Sequence, residues 1–203
     1  MRMLVNIRGT NGSGKSTIPI CMKMWDLESY EVIRPYQGKP KKILTVFPTY
    51  GWVALGDYNN QVGGLDKFPN KAFIQKVLEY ALKKFPDYNI IMEGILTATT
   101  YSTYVELFKR VQRDYNVQPV IYYLMPPVEV CIERIKQRNG GKPFKEDLVH
   151  AKYGMMKRGI EKFAQAKDFP LVVIDNSNLD KTLVLDQFFD ALSQIRREVL
   201  YHE

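Results

Sequence analysis

The sequence predicts an α/β fold in which helices cover both faces of a mostly parallel sheet of about five strands, giving three layers. The first observation is that short apolar segments alternate with amphipathic helical segments along most of the 203 residues. The second is that segments 88–92 and 117–124 are almost continuously apolar, as expected for strands buried on both faces. We expect a single domain over residues 1–203, since no linker interrupts the alternation.

The first element is a short strand over residues 3–7 that leads directly into a glycine-rich segment. This segment matches the phosphate-binding pattern G-x-x-x-x-G-K-[ST] at every fixed position. Its glycines let backbone N–H groups approach a phosphate, and the helix that follows over 18–27 favours the same anion at its N-terminus. Lys15 is expected to reach the β- and γ-phosphates, and Ser16 to offer its hydroxyl to Mg²⁺. The predicted phosphate-loop residues are Gly9, Thr10, Asn11, Gly12, Ser13, Gly14, Lys15, Ser16 and Thr17.

Two departures from regular alternation follow the phosphate loop. Pro19 lies in the first two turns of the helix, where we expect it to remove one backbone hydrogen bond and cause a kink. After the helix come three short strand candidates, which we interpret as a hairpin-like excursion with an insertion around residues 36–67. The turn at 38–42 carries three lysines, which suit either a solvated loop or contact with phosphates. The three strand candidates span 30–35, 43–47 and 52–55.

Glu93 follows the apolar strand 88–92 immediately. A carboxylate at the C-terminal end of a parallel strand points into the crevice where ligands bind in open α/β sheets. We therefore expect Glu93 to hold Mg²⁺ through water or to serve as a base. The other predicted elements are strands over 117–124 and 171–174 and helices over 70–85, 102–115, 128–138, 144–166 and 179–199.

Arg134 and Arg138 lie one turn apart at the end of the helix 128–138, just before Gly140 and Gly141. One interpretation is that they are cations that compensate the dipole at a helix C-terminus. The other is a mobile lid around residues 134–147, whose guanidinium groups meet a transferring phosphoryl group. The sequence leaves both interpretations open.

The chain carries 29 Lys and Arg against 22 Asp and Glu, a net charge of +7, which favours a polyanionic partner. A nucleotide-binding protein also needs cations for its own nucleotide, so the excess favours nucleic acid only modestly. Cys21 and Cys131 are expected to be reduced and packed, which suits a cytoplasmic location. No apolar run approaches the length of a membrane span, so we expect no membrane partner.

Together, the phosphate loop, the strand-end Glu93-Gly94 and the cationic helix end resemble the P-loop kinases, a family that includes the nucleoside monophosphate kinases. This resemblance covers nearly the whole chain and implies the P-loop NTPase fold with ATP and Mg²⁺ as cofactors. The segment 172–176 is similar to the strand-to-loop segment that cups the base of ATP in such kinases, which implies a nucleotide contact for Asn176. The Asp-Arg acceptor signature of thymidylate kinases is not evident.

More narrowly, residues 55–58 and 63–66 resemble a G-x-Y…G-G-x-D pattern in phage kinases that act on 5-hydroxymethyluracil within DNA. This resemblance implies ATP-dependent phosphorylation of the base hydroxymethyl group, with DNA containing the modified base as partner and the infected host cell as location. The acceptor-binding residues that it implies are Asp57, Tyr58, Gly63, Gly64 and Asp66.

In the mechanism that follows from these resemblances, Asp66 orients the acceptor hydroxyl and accepts its proton, with Asp57 as second candidate. Tyr58 stacks on the unpaired base. Two alternatives stay open, namely a kinase of free nucleosides or nucleotides and a nucleotide-dependent switch without an acceptor. The switch predicts an N-K-x-D motif, and the nearest candidate, residues 176–180, lacks both the lysine and the spacing.

Overall fold

The computed structural model describes residues 1–59, 64–94, 97 and 101–201. Within these ranges strands and helices alternate except for three consecutive strands and one pair of consecutive helices, and a short 3₁₀ turn lies at Leu65–Lys67. The strands are β1 (Arg2–Arg8), β2 (Tyr30–Tyr36), β3 (Lys39–Phe47), β4 (Trp52–Leu55), β5 (Asn89–Glu93), β6 (Val117–Leu124) and β7 (Leu171–Ile174). The helices are α1 (Thr17–Trp25), α2 (Lys71–Lys84), α3 (Ser102–Tyr115), α4 (Val128–Arg138), α5 (Glu146–Ala166) and α6 (Lys181–Tyr201).

All seven strands form one sheet, in the order β2-β3-β4-β5-β1-β6-β7. Five adjacent strands, β4, β5, β1, β6 and β7, are parallel to one another. At the centre, Ile7 of β1 lies between Glu93 of β5 and Tyr122 of β6. Because these strands are parallel, they all end at one edge, which we call the carboxyl edge. The phosphate loop, Glu93 and the segment after β4 therefore meet at this edge.

The sheet of about five strands that was predicted corresponds to the parallel part, and the two antiparallel strands β2 and β3 match strand candidates that were not assigned to that sheet. β3 pairs antiparallel with both β2 and β4, and β4 pairs parallel with β5. The hairpin segment therefore extends the main sheet instead of leaving it. This corrects the interpretation of the three strand candidates as an excursion, because the backbone groups of β2, β3 and β4 extend the sheet ladder.

Helices cover both faces of the sheet and form the outer two of three layers. On one face the sheet packs against α2, α3 and α5, with Leu78, Phe108 and Met156 fully buried. On the other face it packs against α1 and α6, where Phe188 is fully buried among aromatic neighbours. Helix α4 joins this framework through a smaller apolar cluster that it shares with α5.

The expected kink at Pro19 does not follow from the observed helix. Helix α1 begins at Thr17, so Pro19 is its third residue. The first backbone N–H groups of a helix have no acceptor within the helix, so proline removes no helical bond at this position. Pro19 therefore fits the first turn of α1.

Both cysteines are buried and unpaired. Among the described residues, no helix is both long and apolar enough to cross a membrane.

Candidate active site

A cavity of about 810 Å³ opens at the carboxyl edge of the sheet. Five cationic side chains and two carboxylates line it, so it suits an anionic ligand. Its lining residues are Asn11, Gly12, Gly14, Lys15, Ser16, Thr17, Ile20, Asp66, Glu93, Arg134, Gln137, Arg138, Lys152 and Lys181.

The phosphate loop divides into residues that face the cavity and residues that support them. Six of the nine predicted loop residues line the cavity, whereas Gly9, Thr10 and Ser13 are buried beneath it. The carbonyl of Thr10 accepts a hydrogen bond of 2.9 Å from the Lys15 ammonium, and its hydroxyl lies 3.5 Å from the carbonyl of Val149. Gly9, Thr10 and Ser13 therefore support the loop from below, and the nucleotide contacts predicted for them stay predictions.

Glycine at position 12 is required by close packing as well as by backbone conformation. Gly12 has φ of +79°, and a Cβ there would overlap the backbone carbonyl of Cys131 in α4. The loop thus lies directly against α4, the helix that carries Arg134 and Arg138. This contact sets the distance between the loop backbone and those two guanidinium groups.

Lys15 and Glu93 are two buried charged residues that face each other across the cavity floor. Lys15 is 6% exposed and Glu93 is 1% exposed. Burial lowers the pKa of Lys15, although Glu93 and Asp66 oppose this shift. Burial raises the pKa of Glu93 to about 7, because its desolvation and the nearby Asp66 outweigh the stabilising effect of Lys15. Glu93 therefore exchanges its proton near neutral pH, as suits a general base or a cation ligand.

Three neighbours hold the Glu93 carboxyl group in place. The Ser16 hydroxyl donates to Glu93 Oε1 over 3.1 Å, and the Tyr58 hydroxyl also lies within hydrogen-bonding range. Gly64 packs so closely that a Cβ there would overlap the same carboxyl group. The segment after β4 is thereby fixed against the end of β5.

Tyr58 does not have the role predicted for it. Its ring is 3% exposed and lies in the apolar cluster beneath α1 and α6. Its hydroxyl lies 3.1 Å from the carbonyl of Leu55, and burial raises its pKa well above the usual value. The ring is therefore unable to stack on a base in this conformation, and Tyr58 supports Glu93 from below.

The two candidate aspartates separate clearly. Asp66 is exposed at the cavity, next to the backbone of Gly94. Asp57 accepts from the backbone N–H of Asn59 and forms an ion pair of 3.3 Å with Lys67, and it is not among the cavity residues. The structure thus favours Asp66 over Asp57 as the residue near the reacting atoms. Gly63 lies outside the described residues.

Arg134 and Arg138 both line the cavity, on the wall formed by α4. Arg134 Nη2 donates to the carbonyl oxygens of Asn176 and Ser177 at 2.7 and 3.4 Å. Asn176 is 2% exposed, and its side-chain Nδ2 donates a hydrogen bond of 3.0 Å to the carbonyl oxygen of Ser13. Asn176 therefore ties Arg134 to the phosphate loop, and the nucleotide contact predicted for it stays a prediction.

Lys152 and Lys181 also line the cavity, although neither was singled out from the sequence. Lys152 is close enough to contribute to lowering the pKa of Lys15. It lies on α5 between the buried residues Val149 and Met156, so a lysine on the inward stripe of a helix was the available signal. Lys181 is the first residue of α6, and no local pattern marks it as a site residue.

The donor set fits a nucleoside triphosphate with Mg²⁺. Backbone N–H groups, Lys15 and Arg134 suit phosphate oxygens, and the Ser16 hydroxyl beside Glu93 suits a hard cation that prefers oxygen ligands. In the described part of the chain, no group of three or more His, Cys, Asp or Glu forms a metal site by itself. A Mg²⁺ ion here would therefore rely on Ser16, Glu93 and ligands from the nucleotide.

A strand that ends in this phosphate loop, within a parallel sheet covered by helices on both faces, places the protein in the P-loop class of α/β proteins. A family model for 5-hmdU DNA kinases matches residues 2–181. The chain therefore belongs to the 5-hmdU DNA kinase family, as its resemblance in the loop after β4 implies.

Three curated relatives illustrate this membership. The 5-hmdU DNA kinase of Bacillus phage SP10 is 40% identical over 194 residues, which are 94% of this chain and 29% of that protein. The 5-hmdU DNA kinase of Pseudomonas phage M6 is 33% identical, with 76% of this chain and 81% of that protein covered. The 5-hmdU DNA kinase 1 of Salmonella phage ViI is 33% identical over 74% of this chain and 66% of that protein. The chain thus spans less than a third of the length of the SP10 relative.

Among solved structures, a deoxyadenosine kinase from M. mycoides with bound dATP is similar at a TM-score of 0.46 and 22% identity. The similarity covers 94% of this chain and 100% of that chain.

Proposed function

We propose that this protein transfers the γ-phosphoryl group of ATP to the hydroxymethyl oxygen of 5-hydroxymethyluracil within DNA, in the phage-infected cell. A new P–O bond forms between the acceptor oxygen and the γ-phosphorus. The bond from that phosphorus to the β–γ bridging oxygen breaks, and ADP leaves with the electron pair. The acceptor hydroxyl loses its proton to Asp66.

The observation that carries this proposal is that a single cavity holds both halves of such a site. Lys15 and Ser16 stand on the phosphate side, and Asp66 stands on the side that follows β4. Phosphoryl transfer depends mainly on positioning and on stabilising charge around the transferred group. Lys15, Arg134 and Arg138 supply fixed positive charge, and the exposed carboxylate of Asp66 supplies an acceptor for the proton.

The nucleotide would lie with its phosphates on the loop backbone, Lys15 and Ser16. Mg²⁺ bound at Ser16 and Glu93 would neutralise charge on the phosphate oxygens. Arg134 and Arg138 close this side, and the segment 139–145, which begins with a turn, joins their helix to α5. Residues 134–147 would act as a lid over the phosphates. Gly140 and Gly141 support this role, because both have positive φ in the turn that follows the helix.

The base must reach the cavity to be phosphorylated, so duplex DNA must release it from the stack. The experiment supplies γ-labelled ATP with one of three acceptors, namely DNA containing 5-hydroxymethyluracil, the same DNA with thymine, and free 5-hydroxymethyl-deoxyuridine or its monophosphate. We expect label in the first sample alone. Efficient labelling of the free nucleoside or nucleotide, with none in DNA, would assign the protein to small-molecule kinases instead.

A further inference from the structure

The β2–β3 hairpin extends beyond the sheet at the same edge as the cavity. Strand β4 ends at Leu55, opposite Leu44, whereas β3 begins five residues earlier at Lys39. At about 3.3 Å per residue, the hairpin protrudes about 16 Å past the end of β4. The strand pairing is irregular between Val32 and Ile33. We call the part of the hairpin beyond this point, residues 33–42, the hairpin arm.

One face of the hairpin arm is cationic. The arm contains four Lys or Arg residues and no Asp or Glu. Arg34 pairs across the strands with Lys41, and Tyr36 pairs with Lys39. The side chains of Arg34, Lys39 and Lys41 therefore lie on one face of the arm, together with Tyr36. In the described part of the chain, the ion pairs do not involve Arg34, Lys39 or Lys41.

Lys42 differs from these three cations. It lies on the other face of the arm and forms an ion pair of 2.7 Å with Glu31. Burial alone would raise the pKa of Glu31, but hydrogen bonds from Lys23, Lys42 and Asn59 lower it to about 2. Glu31 is therefore ionised across the working pH range, and Lys42 is the lysine of the turn already neutralised by the protein.

Two of the three cations on this face, Arg34 and Lys41, contact neighbouring elements. Arg34 Nη2 donates to the Tyr80 hydroxyl over 2.6 Å, and the ring of Tyr36 packs edge-on against Phe73 at 4.6 Å. Lys41 Nζ donates to the carbonyl of Lys67 over 2.9 Å. Each cation keeps further N–H donors for another partner, because guanidinium has five and ammonium three.

The hairpin arm and the acceptor side of the cavity share one support. The carbonyl that Lys41 contacts belongs to Lys67, in the same 3₁₀ turn as Asp66. A polyanion on the arm would therefore lie at a fixed distance from the carboxylate that faces the acceptor. Cations that lie beside the acceptor site and form no ion pair in the described part of the chain suit the phosphates of a nucleic acid.

We propose that the hairpin arm binds backbone phosphates of the DNA strand next to the acceptor nucleotide, through Arg34, Lys39 and Lys41. The arm thereby positions the strand so that the modified base reaches Asp66. This inference rests on the proposed function, since it requires a polymeric acceptor. A free nucleotide has no neighbouring phosphates for the arm to hold.

The test measures binding of fluorescein-labelled duplex DNA containing 5-hydroxymethyluracil by anisotropy across a salt series. Each phosphate contact contributes about −0.9 to the log–log slope on duplex DNA. We therefore expect the slope to become shallower by about 0.9 in Lys39→Ala and by about 1.8 in the double variant Arg34→Ala/Lys39→Ala. In transfer assays the loss should appear as a higher KM for DNA.

The matched control is Lys83→Ala/Lys84→Ala, which removes the same charge from two exposed lysines at the C-terminal end of α2. It should keep the wild-type slope. Equal slopes in the arm and control variants would overturn the inference, as would a wild-type protein that does not bind DNA. The proposed function fails separately, by the absence of label transfer to DNA. The single variant Lys39→Ala should fold as wild type does, because Lys39 is exposed. It therefore separates a loss of phosphate contact from a loss of fold.

Discussion

The two sides of the cavity are built in opposite ways. The phosphate side is one continuous loop, buried and supported from below, in which Lys15 is 6% exposed and bonded to the loop's own backbone. The acceptor side is assembled from the segment after β4 and the end of β5, and Asp66 remains exposed there. The first side is defined by local sequence, and the second by contacts between distant segments.

This difference suggests how the protein divides its tasks. A rigid loop suits the triphosphate, whose charge and shape are the same for every acceptor. An open side suits an acceptor that must enter with its polymer. Substitutions on the phosphate side should therefore affect turnover with every acceptor, whereas those on the acceptor side should discriminate among acceptors.

The largest effect is expected on the phosphate side. Lys15→Ala should lower kcat about 10³-fold, because the developing charge on the transferred group loses its fixed cation. The measurement is transfer from γ-labelled ATP to modified DNA, with circular dichroism to show that the variant is folded. Wild-type turnover in a folded Lys15→Ala protein would contradict the assignment of this loop as the catalytic phosphate site.

On the acceptor side, Asp66→Asn should lower phosphoryl transfer about 10²-fold, since the acceptor proton loses its base. The nucleotide affinity should change little. Asp57→Asn is the matched control, because Asp57 is paired with Lys67 and is not among the cavity residues. If the Asp57 variant loses more transfer than the Asp66 variant, the two aspartates have been assigned in the wrong order.

Glu93 lies where the two sides meet, and its ionisation should appear in the stability of the nucleotide-free protein. Its pKa is raised to about 7, so the folded protein binds this proton more tightly than the unfolded chain does. Glu93 therefore favours folding at low pH, and this contribution is lost as pH rises through about 7. Glutamine does not titrate, so the free energy of unfolding of Glu93→Gln should rise relative to that of wild type between pH 4 and 8, by at most about 3 kcal/mol.

Urea unfolding of both proteins at several pH values measures this change. A stability difference that is the same at pH 4 and pH 8 would show that Glu93 does not titrate anomalously. Activity of Glu93→Gln should be low at every pH, because the amide is a poorer cation ligand than a carboxylate.

Arg134→Lys should lower kcat about tenfold. A guanidinium group can donate to the carbonyl of Asn176 and to a phosphate at the same time, whereas an ammonium lacks this planar fork. Arg158→Lys provides the same exchange on the exposed part of α5 and should behave as wild type. Unchanged kcat in the Arg134 variant would leave this arginine as a cation at a helix end.

The smallest effect is expected for Lys152, which lies at the boundary of the phosphate side. Lys152→Ala should lower kcat several-fold, as expected for a partly solvated cation near the phosphates. Its control is Lys157→Ala on the same helix, whose ammonium stacks over Tyr153. Equal activities of the two variants would exclude Lys152 from the site.

Local patterns predicted much of the fold. Strands over 117–124 and 171–174 and helices over 102–115 and 128–138 coincide with the observed bounds. Each of these elements has an apolar periodicity or a breaker that acts within a few residues. The phosphate loop is likewise a local motif, so its position followed from sequence alone.

What the sequence did not predict depends on pairing between distant segments. Strands over 30–35 and 43–47 were predicted, but their place in the main sheet was not, because the pairing of β4 with β5 has no local signature. Tyr58 lies in a polar stretch, yet its ring fills the core beneath α1. The hydrogen bond from Asn176 to the carbonyl of Ser13 joins positions 163 residues apart, so no local pattern predicts it. The catalytic roles assigned from the sequence stay predictions for the variants above to test.

The contact between Gly64 and Glu93 has a consequence for redirecting the proposed kinase activity to other acceptors. A side chain at position 64 would displace the carboxyl group that lies beside the Ser16 hydroxyl. A library that randomises the acceptor loop would therefore lose ATP chemistry at this position before it changed acceptor preference. Directed evolution should therefore hold Gly64 constant.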